Sequence, residues 1–161
     1  MSDDKLNELE NAVGVEPESA RLRHLLGAHY AQAGRFEEAE RELYRAVSLD
    51  PRAHVARLQL GLLYLTRGDA HRAISTWSAL ESLADGEALK SFKHGLEALI
   101  RDDFVACTRW LQEGIARNGA NPALNEDMRL VLKRVASHTR PKEEEDSASV
   151  RTDFSLYATR H

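Results

Sequence analysis

The sequence has few of the residues that mark a disulfide-stabilised, turn-rich or membrane-embedded protein. Its 161 residues include one cysteine, four prolines and nine glycines. A single cysteine closes no internal disulfide, which favours a reducing compartment, and the low glycine and proline content argues against a β-sandwich. The longest apolar run covers residues 60–65, whereas a membrane-spanning helix needs roughly 20 residues. We therefore expect a cytoplasmic protein without membrane insertion.

An excess of positive charge is also missing. The 22 Lys and Arg residues are outnumbered by 26 Asp and Glu residues, which gives a net charge of −4 at pH 7. This balance argues against binding to nucleic acid, and no nucleic-acid partner is expected. The first four residues, MSDD, are acidic and no apolar stretch follows them, which argues against a secretory signal. The length is that of one domain with a tail.

The sequence carries no recognisable catalytic, cofactor or metal motif. A GxGxxG loop, a Walker loop and an HExxH helix are all absent. His24 and His29 are five positions apart, which misses the i,i+3 or i,i+4 spacing that places two ligands on one helix face. Cys107 stands in a small-residue position and is interpreted as a buried, inert thiol. We therefore predict a non-enzymatic protein with no catalytic residues, no cofactor and no metal.

What the sequence does contain is an internal repeat. When the chain is compared with itself at an offset of 34 residues, glycines, prolines, aromatic residues and small residues coincide. Unrelated helical proteins share apolar periodicity but not the positions of their glycines, so the coincidence indicates true repetition. The matched positions are Pro17 with Pro51, Gly27 with Gly61 and Gly95, Tyr30 with Tyr64, Gly34 with Gly68, and Ala39 with Ala73 and Cys107.

Each repeat contains two short signatures, and the third repeat is degenerate. They read Leu26-Gly27-x2-Tyr30 with Ala39-x3-Leu43, Leu60-Gly61-x2-Tyr64 with Ala73-x3-Trp77, and His94-Gly95-x2-Ala98 with Cys107-x3-Leu111. These residues resemble the pattern of the tetratricopeptide repeat family. The family pattern opens with an aromatic residue, which is missing here, because Arg23, Arg57 and Ser91 stand in its place.

The resemblance implies an all-α fold. We expect a right-handed α-solenoid of about three helix-turn-helix repeats. The two helices of each repeat are predicted to be separated by Gly34-Arg35, Gly68-Asp69 and Asp102-Asp103, where glycine ends one helix and an acidic side chain caps the next. The predicted organisation is an N-terminal half-repeat helix in 1–19, repeats in 20–53, 54–87 and 88–121, a capping helix in 122–138, and a flexible charged linker with a short apolar segment in 139–161.

The resemblance also implies a binding surface, because in this family the first helix of each repeat lines a concave face. Beside the residues that pack each repeat, the second and third repeats carry another apolar stripe with helical spacing. Two interpretations stay open: the stripe lines an exposed groove for a partner, or it belongs to the core. The stripe consists of Val55, Leu58, Leu62, Leu65, Leu89, Phe92, Leu96, Leu99 and Ile100, and Arg21 and His24 form its polar end in the first repeat.

One known binding mode of the family is not expected. Some members hold the terminal carboxylate of chaperones in a clamp of Lys, Asn and Arg side chains. Here His24, Ala28 and Leu89 occupy clamp positions, and among them only Lys93 fits. We therefore do not expect chaperone tails as partners.

The function implied by the resemblance is that of a protein-interaction module. Such a module would hold an apolar or amphipathic protein or peptide segment, as an adaptor or as a chaperone similar in outline to those of type III secretion translocators. The alternative is a scaffold in which copies of the chain assemble into a dimer or oligomer through the tail or a convex face. The tail ends in Phe154, Leu156 and Tyr157, which are predicted to dock in the groove of the same chain or of a second copy.

Overall fold

The computed structural model describes residues 2–139, and over this range every regular element is a helix. A 3₁₀ helix, Ser78–Ser82, continues directly from the fifth α-helix. The predicted all-helical repeat fold is confirmed, since the described range contains successive helix pairs and no strand. The α-helices are α1 (Ser2–Val15), α2 (Ala20–Gln32), α3 (Phe36–Leu49), α4 (His54–Thr66), α5 (Ala70–Trp77), α6 (Ala88–Ile100), α7 (Phe104–Arg117) and α8 (Pro122–Thr139).

The turns inside the helix pairs recur at the same place in each repeat. Gly34 has a φ of 76° and Gly68 a φ of 86°, which is the left-handed region that glycine adopts without steric cost. The third turn places Asp102 there, at a φ of 59°, because aspartate tolerates this conformation better than most residues. The side chains of Asp69 and Asp103 each accept the backbone N–H three residues ahead, at 3.0 and 3.1 Å. The predicted glycine turns and acidic caps are confirmed at these positions.

The contacts of the chain divide it into two compact units, with the boundary after residue 63, inside α4. In the first unit α2 packs along α3, and α1 packs on α2. The backbones of α2 and α3 approach closely at Gly27, where a Cβ atom would lie 2.8 Å from Cγ of Leu43. The hydroxyl of Tyr30 donates a hydrogen bond to Glu10 at 2.7 Å, which joins α2 to α1. The glycine that recurs in each repeat is therefore required by helix packing in the first one.

The second unit is built around the pair α6 and α7, and α8 packs on α7. A Cβ atom at Gly95 would lie 2.6 Å from Cδ2 of Leu111, and one at Gly114 would lie 2.4 Å from Cε1 of Phe92. Both glycines thus let a large side chain of the opposite helix rest directly on the backbone. The face that α8 turns inward is apolar and consists of Leu124, Met128, Val131 and Val135.

Candidate protein-interaction site

The nine residues of the predicted apolar stripe fall into two classes of exposure. Five are at most 2% exposed, namely Leu58, Leu65, Phe92, Leu96 and Leu99. These five are core residues rather than the lining of an open groove, which was the second of the two interpretations. The other four are half-buried, namely Val55, Leu62, Leu89 and Ile100.

The burial of Phe92 shows why periodicity alone did not separate the two classes. Its ring rests on the backbone of Gly114 in α7, in the space where a side chain at that position would lie. Helical spacing places residues on one face of a helix, but what covers that face depends on residues elsewhere in the chain. In α6 the cover over Phe92 is supplied by a glycine about two turns before the end of the predicted third repeat.

The four half-buried residues keep part of their apolar surface in contact with solvent. Val55 and Leu62 lie on α4 in the first unit, and Leu89 and Ile100 lie on α6 in the second. Val55 and Leu89 are 34 residues apart, so they hold the same position in successive repeats. As a site for a partner, these four residues remain a prediction.

The two residues of the predicted polar end have different surroundings. Arg21 is exposed. His24 is half-buried, and its Nε2 lies 2.6 Å from Oε1 of Gln59, so it forms a hydrogen bond between α2 and α4. His24 therefore contributes to helix packing in the first unit. The predicted tail-docking residues, Phe154, Leu156 and Tyr157, lie outside the described residues.

Lys93, the one residue that fitted a carboxylate clamp, is occupied by the protein's own carboxylates. Its Nζ donates to Glu81 at 2.8 Å and to Glu97 at 2.7 Å, and the residue is 7% exposed. Burial alone would lower the pKa of Lys93, but the hydrogen bonds to Glu81 and Glu97 raise it above its ordinary value. The ammonium group is thus a charged structural link between α6 and the 3₁₀ helix.

A cavity of about 390 Å³ lies between the amino-terminal half of α6 and the carboxyl-terminal half of α7. The sequence analysis did not predict it. Ser91, His94 and Trp110 form part of its wall, and the His94 and Trp110 rings lie 4.9 Å apart between centroids, at an angle of 31°. The sequence held a signal, because His94 stands where the first two repeats have the buried leucines Leu26 and Leu60.

The charged groups at the cavity balance one another. Nζ of Lys90 donates to Oδ1 of Asp85 at 2.9 Å and to the carbonyl oxygen of Leu83 at 3.0 Å. Arg117 pairs with Glu113 at 2.8 Å. Each lining cation therefore has a carboxylate beside it, and the cavity carries no surplus charge of one sign from these four groups.

Cys107 is buried, as the repeat register predicted. Burial raises the pKa of its thiol to about 12, and the charge of Asp103 adds to the increase. Such a thiol is protonated and inaccessible at neutral pH, which makes it unsuited to nucleophilic chemistry. Ala39 and Ala73 hold the same place in the other repeats, and both are fully buried.

The raised pKa leads to an expected effect of pH on stability. The unfolded chain loses the thiol proton above about pH 8.5, whereas the folded protein retains it up to about pH 12. Because the folded state then binds more protons than the unfolded state, Cys107 lowers stability as the pH rises through this window, by at most about 1.4 kcal/mol per pH unit. Urea unfolding of wild type and Cys107→Ala between pH 8 and 11 measures this difference. Equal pH dependence of the two proteins would show that the thiol is not buried.

Two kinds of site are absent from the part of the chain that the structure covers. Among residues 2–139, no group of three or more His, Cys, Asp or Glu side chains is arranged to hold a metal ion. Over the same range, no helix combines the length and the apolar character that crossing a bilayer requires.

Comparison with known proteins supports the repeat assignment. A family model described as tetratricopeptide repeat matches residues 6–60, which span α1, α2, α3 and the first half of α4. The chain carries tetratricopeptide repeats. No curated protein matches it. Tetratricopeptide repeats are generally protein-interaction modules that bind protein partners, and they are typically non-enzymatic.

Proposed function

We propose that the chain binds an apolar or amphipathic segment of a partner protein along α4 and α6, the first helices of its second and third repeats. The observation that carries the proposal is the recurrence of partly exposed apolar residues, Val55 and Leu89, at the same position of both repeats. The tetratricopeptide repeat match, with its general role in protein interaction, supports the same class of function.

The core does not require apolar residues at this position. In the first repeat the equivalent residue is Arg21, which is exposed. Three positions further along each first helix, the buried residues Leu58 and Phe92 already supply the core contact. An apolar side chain that recurs where a charged one is tolerated is therefore better explained by an interaction than by folding.

The size of the available apolar surface suggests a modest affinity. Complete burial of one such side chain is worth roughly 1.5–3 kcal/mol. Four side chains that are already half-buried can contribute only a few kcal/mol once the ordering of the partner segment is subtracted. Additional polar or charged contacts are needed for a stable complex.

The double variant Val55→Glu, Leu89→Glu tests the proposal. We expect it to reduce the amount of co-purified partner about tenfold or more, since each 1.4 kcal/mol lost on desolvating a new carboxylate is a factor of ten. Because both positions are partly exposed, circular dichroism and melting temperature should stay close to those of wild type. Quantitative mass spectrometry of proteins retained by each variant provides the measurement.

A matched control is Leu130→Glu, which places the same charge at a 61% exposed leucine of α8. This variant should retain the partner. Equal retention by the double variant and the control would overturn the proposal. If wild type recovers only further copies of itself, the self-assembling scaffold replaces partner binding as the function.

A further inference from the structure

The repeats allow the cavity between α6 and α7 to be compared with the same place in the first repeat. There, the side chain of Arg23 lies between α2 and α3 and is only 20% exposed. Its Nε donates to the carbonyl oxygen of Pro17 at 3.1 Å, and its Nη1 donates to Oε2 of Glu42 at 2.8 Å. In the first repeat an arginine side chain thus fills this position.

The second repeat has an arginine at the same position. Arg57 follows Arg23 by 34 residues, and its Nη2 donates to the carbonyl oxygen of Pro51 at 3.4 Å. Pro51 is in turn the equivalent of Pro17. Both repeats therefore direct a guanidinium group toward the backbone carbonyl that precedes their first helix.

The third repeat has lost this arginine. Ser91 takes its place, and the short side chain is buried, with 3% of the residue exposed. The cavity lies at Ser91, and two more of its lining residues are equivalents of the arginine's partners: Asp85 corresponds to Pro17 and Trp110 to Glu42. The cavity therefore occupies the space that an arginine side chain fills in the first repeat.

We propose that this cavity receives the guanidinium group of an arginine on the partner segment, a step that rests on the proposed function. The indole of Trp110 would provide a flat wall for stacking, and one guanidinium, that of Arg109, already lies 5.9 Å from its ring centroid. The hydroxyl of Ser91 and the carboxylate of Glu113 would supply acceptors. Trp110 cannot replace Glu42 as an ion-pair partner, so stacking takes the place of that salt bridge.

A carboxylate ligand fits the same cavity less well. The ammonium of Lys90 and the guanidinium of Arg117 are each within 2.9 Å of a carboxylate of the protein. An incoming anion would have to compete with Asp85 and Glu113 for these two cations. Since the charges cancel, the shape inherited from the arginine-containing repeats decides in favour of a planar cation.

N-acetyl-arginine-N-methylamide is a suitable probe, followed through the indole N–H resonances of the full-length protein. Trp110 lines the cavity, whereas Trp77 is fully buried and serves as an internal reference. We expect a saturable shift of the Trp110 resonance alone in wild type and in Ser91→Ala. In Ser91→Arg, the new side chain should fill the cavity as Arg23 does and weaken binding of the probe about tenfold or more.

Each alternative outcome contradicts the inference. Unchanged binding of the probe by Ser91→Arg would show that the cavity is not the site. If that variant does not fold, Ser91→Met fills the same space without charge and makes the same test. Equal binding of N-acetyl-citrulline-N-methylamide would show that charge plays no part, and stronger binding of N-acetyl-glutamate-N-methylamide would identify an anion site instead.

The proposed function and this inference fail independently. If the probe does not bind wild type but partner capture still depends on Val55 and Leu89, the arginine site is wrong and the interaction module stands. If the probe binds as expected and no partner is captured, the cavity recognises a guanidinium outside the proposed interaction.

Discussion

Leu96→Glu is expected to unfold the protein, whereas Leu62→Glu, the same change at the equivalent position of the preceding repeat, should leave it folded. Leu96 is 0% exposed, so the variant loses the packing of a buried leucine and gains a buried carboxylate without a partner. Together these effects cost about 5 kcal/mol or more, which equals the entire stability of many domains. Leu62 is half-buried, and its carboxylate can reach water.

Circular dichroism and urea unfolding of the two variants provide the measurement. We expect the helical signal of Leu96→Glu to be lost at 25 °C and that of Leu62→Glu to be retained, with a loss of stability of about 1–2 kcal/mol. The pair is informative because sequence periodicity treats the two leucines alike. A folded Leu96→Glu would mean that α6 exposes this face, and would return Leu96 to the binding surface.

Gly114→Val should lower the free energy of unfolding by more than about 2 kcal/mol. A Cβ at Gly114 would lie 2.4 Å from Cε1 of Phe92, and that ring is fully buried and has no room to move aside. Gly14 is the matched control, because it also lies in a helix but has nothing within 4 Å of its Cβ position. Gly14→Val should change stability by less than about 0.5 kcal/mol.

The midpoint of urea unfolding distinguishes the two glycine variants. Helix propensity alone would make both substitutions neutral or slightly favourable, since glycine is the poorer helix former. A difference between them therefore reports the close approach of α6 and α7. Equal midpoints would contradict the contact between Phe92 and the α7 backbone.

The two leucines at 62 and 96 also define what remains of the predicted binding surface. A surface that loses Leu58, Leu65, Phe92, Leu96 and Leu99 to the core is smaller than the sequence suggested. The remaining apolar residues need polar contacts beside them to hold a partner, and the cavity at Ser91 provides a place for one. The proposed partner segment is therefore amphipathic, with an arginine among its apolar residues.

The sequence by itself determined the features that depend on neighbouring residues. The 34-residue register located the helix pairs, and the turns at Gly34 and Gly68 and the caps at Asp69 and Asp103 follow from backbone conformation and hydrogen bonds within a few residues. Such local preferences act wherever the residues occur, which is why they could be predicted without tertiary structure. The burial of Cys107 was predictable for a related reason, because alanine holds its place in the other repeats.

Only the tertiary structure decided which apolar residues are core and where space is left open. The α4 and α6 helices are apolar on nearly every side, so their periodicity contains no information about which side a neighbouring helix covers. Phe92 is buried because a glycine 22 residues later lets its ring rest on α7. The cavity at Ser91 likewise arises where a small residue on one helix meets the side chains of another. Packing between distant segments sets both outcomes, and it depends on how the side-chain volumes of two helices match.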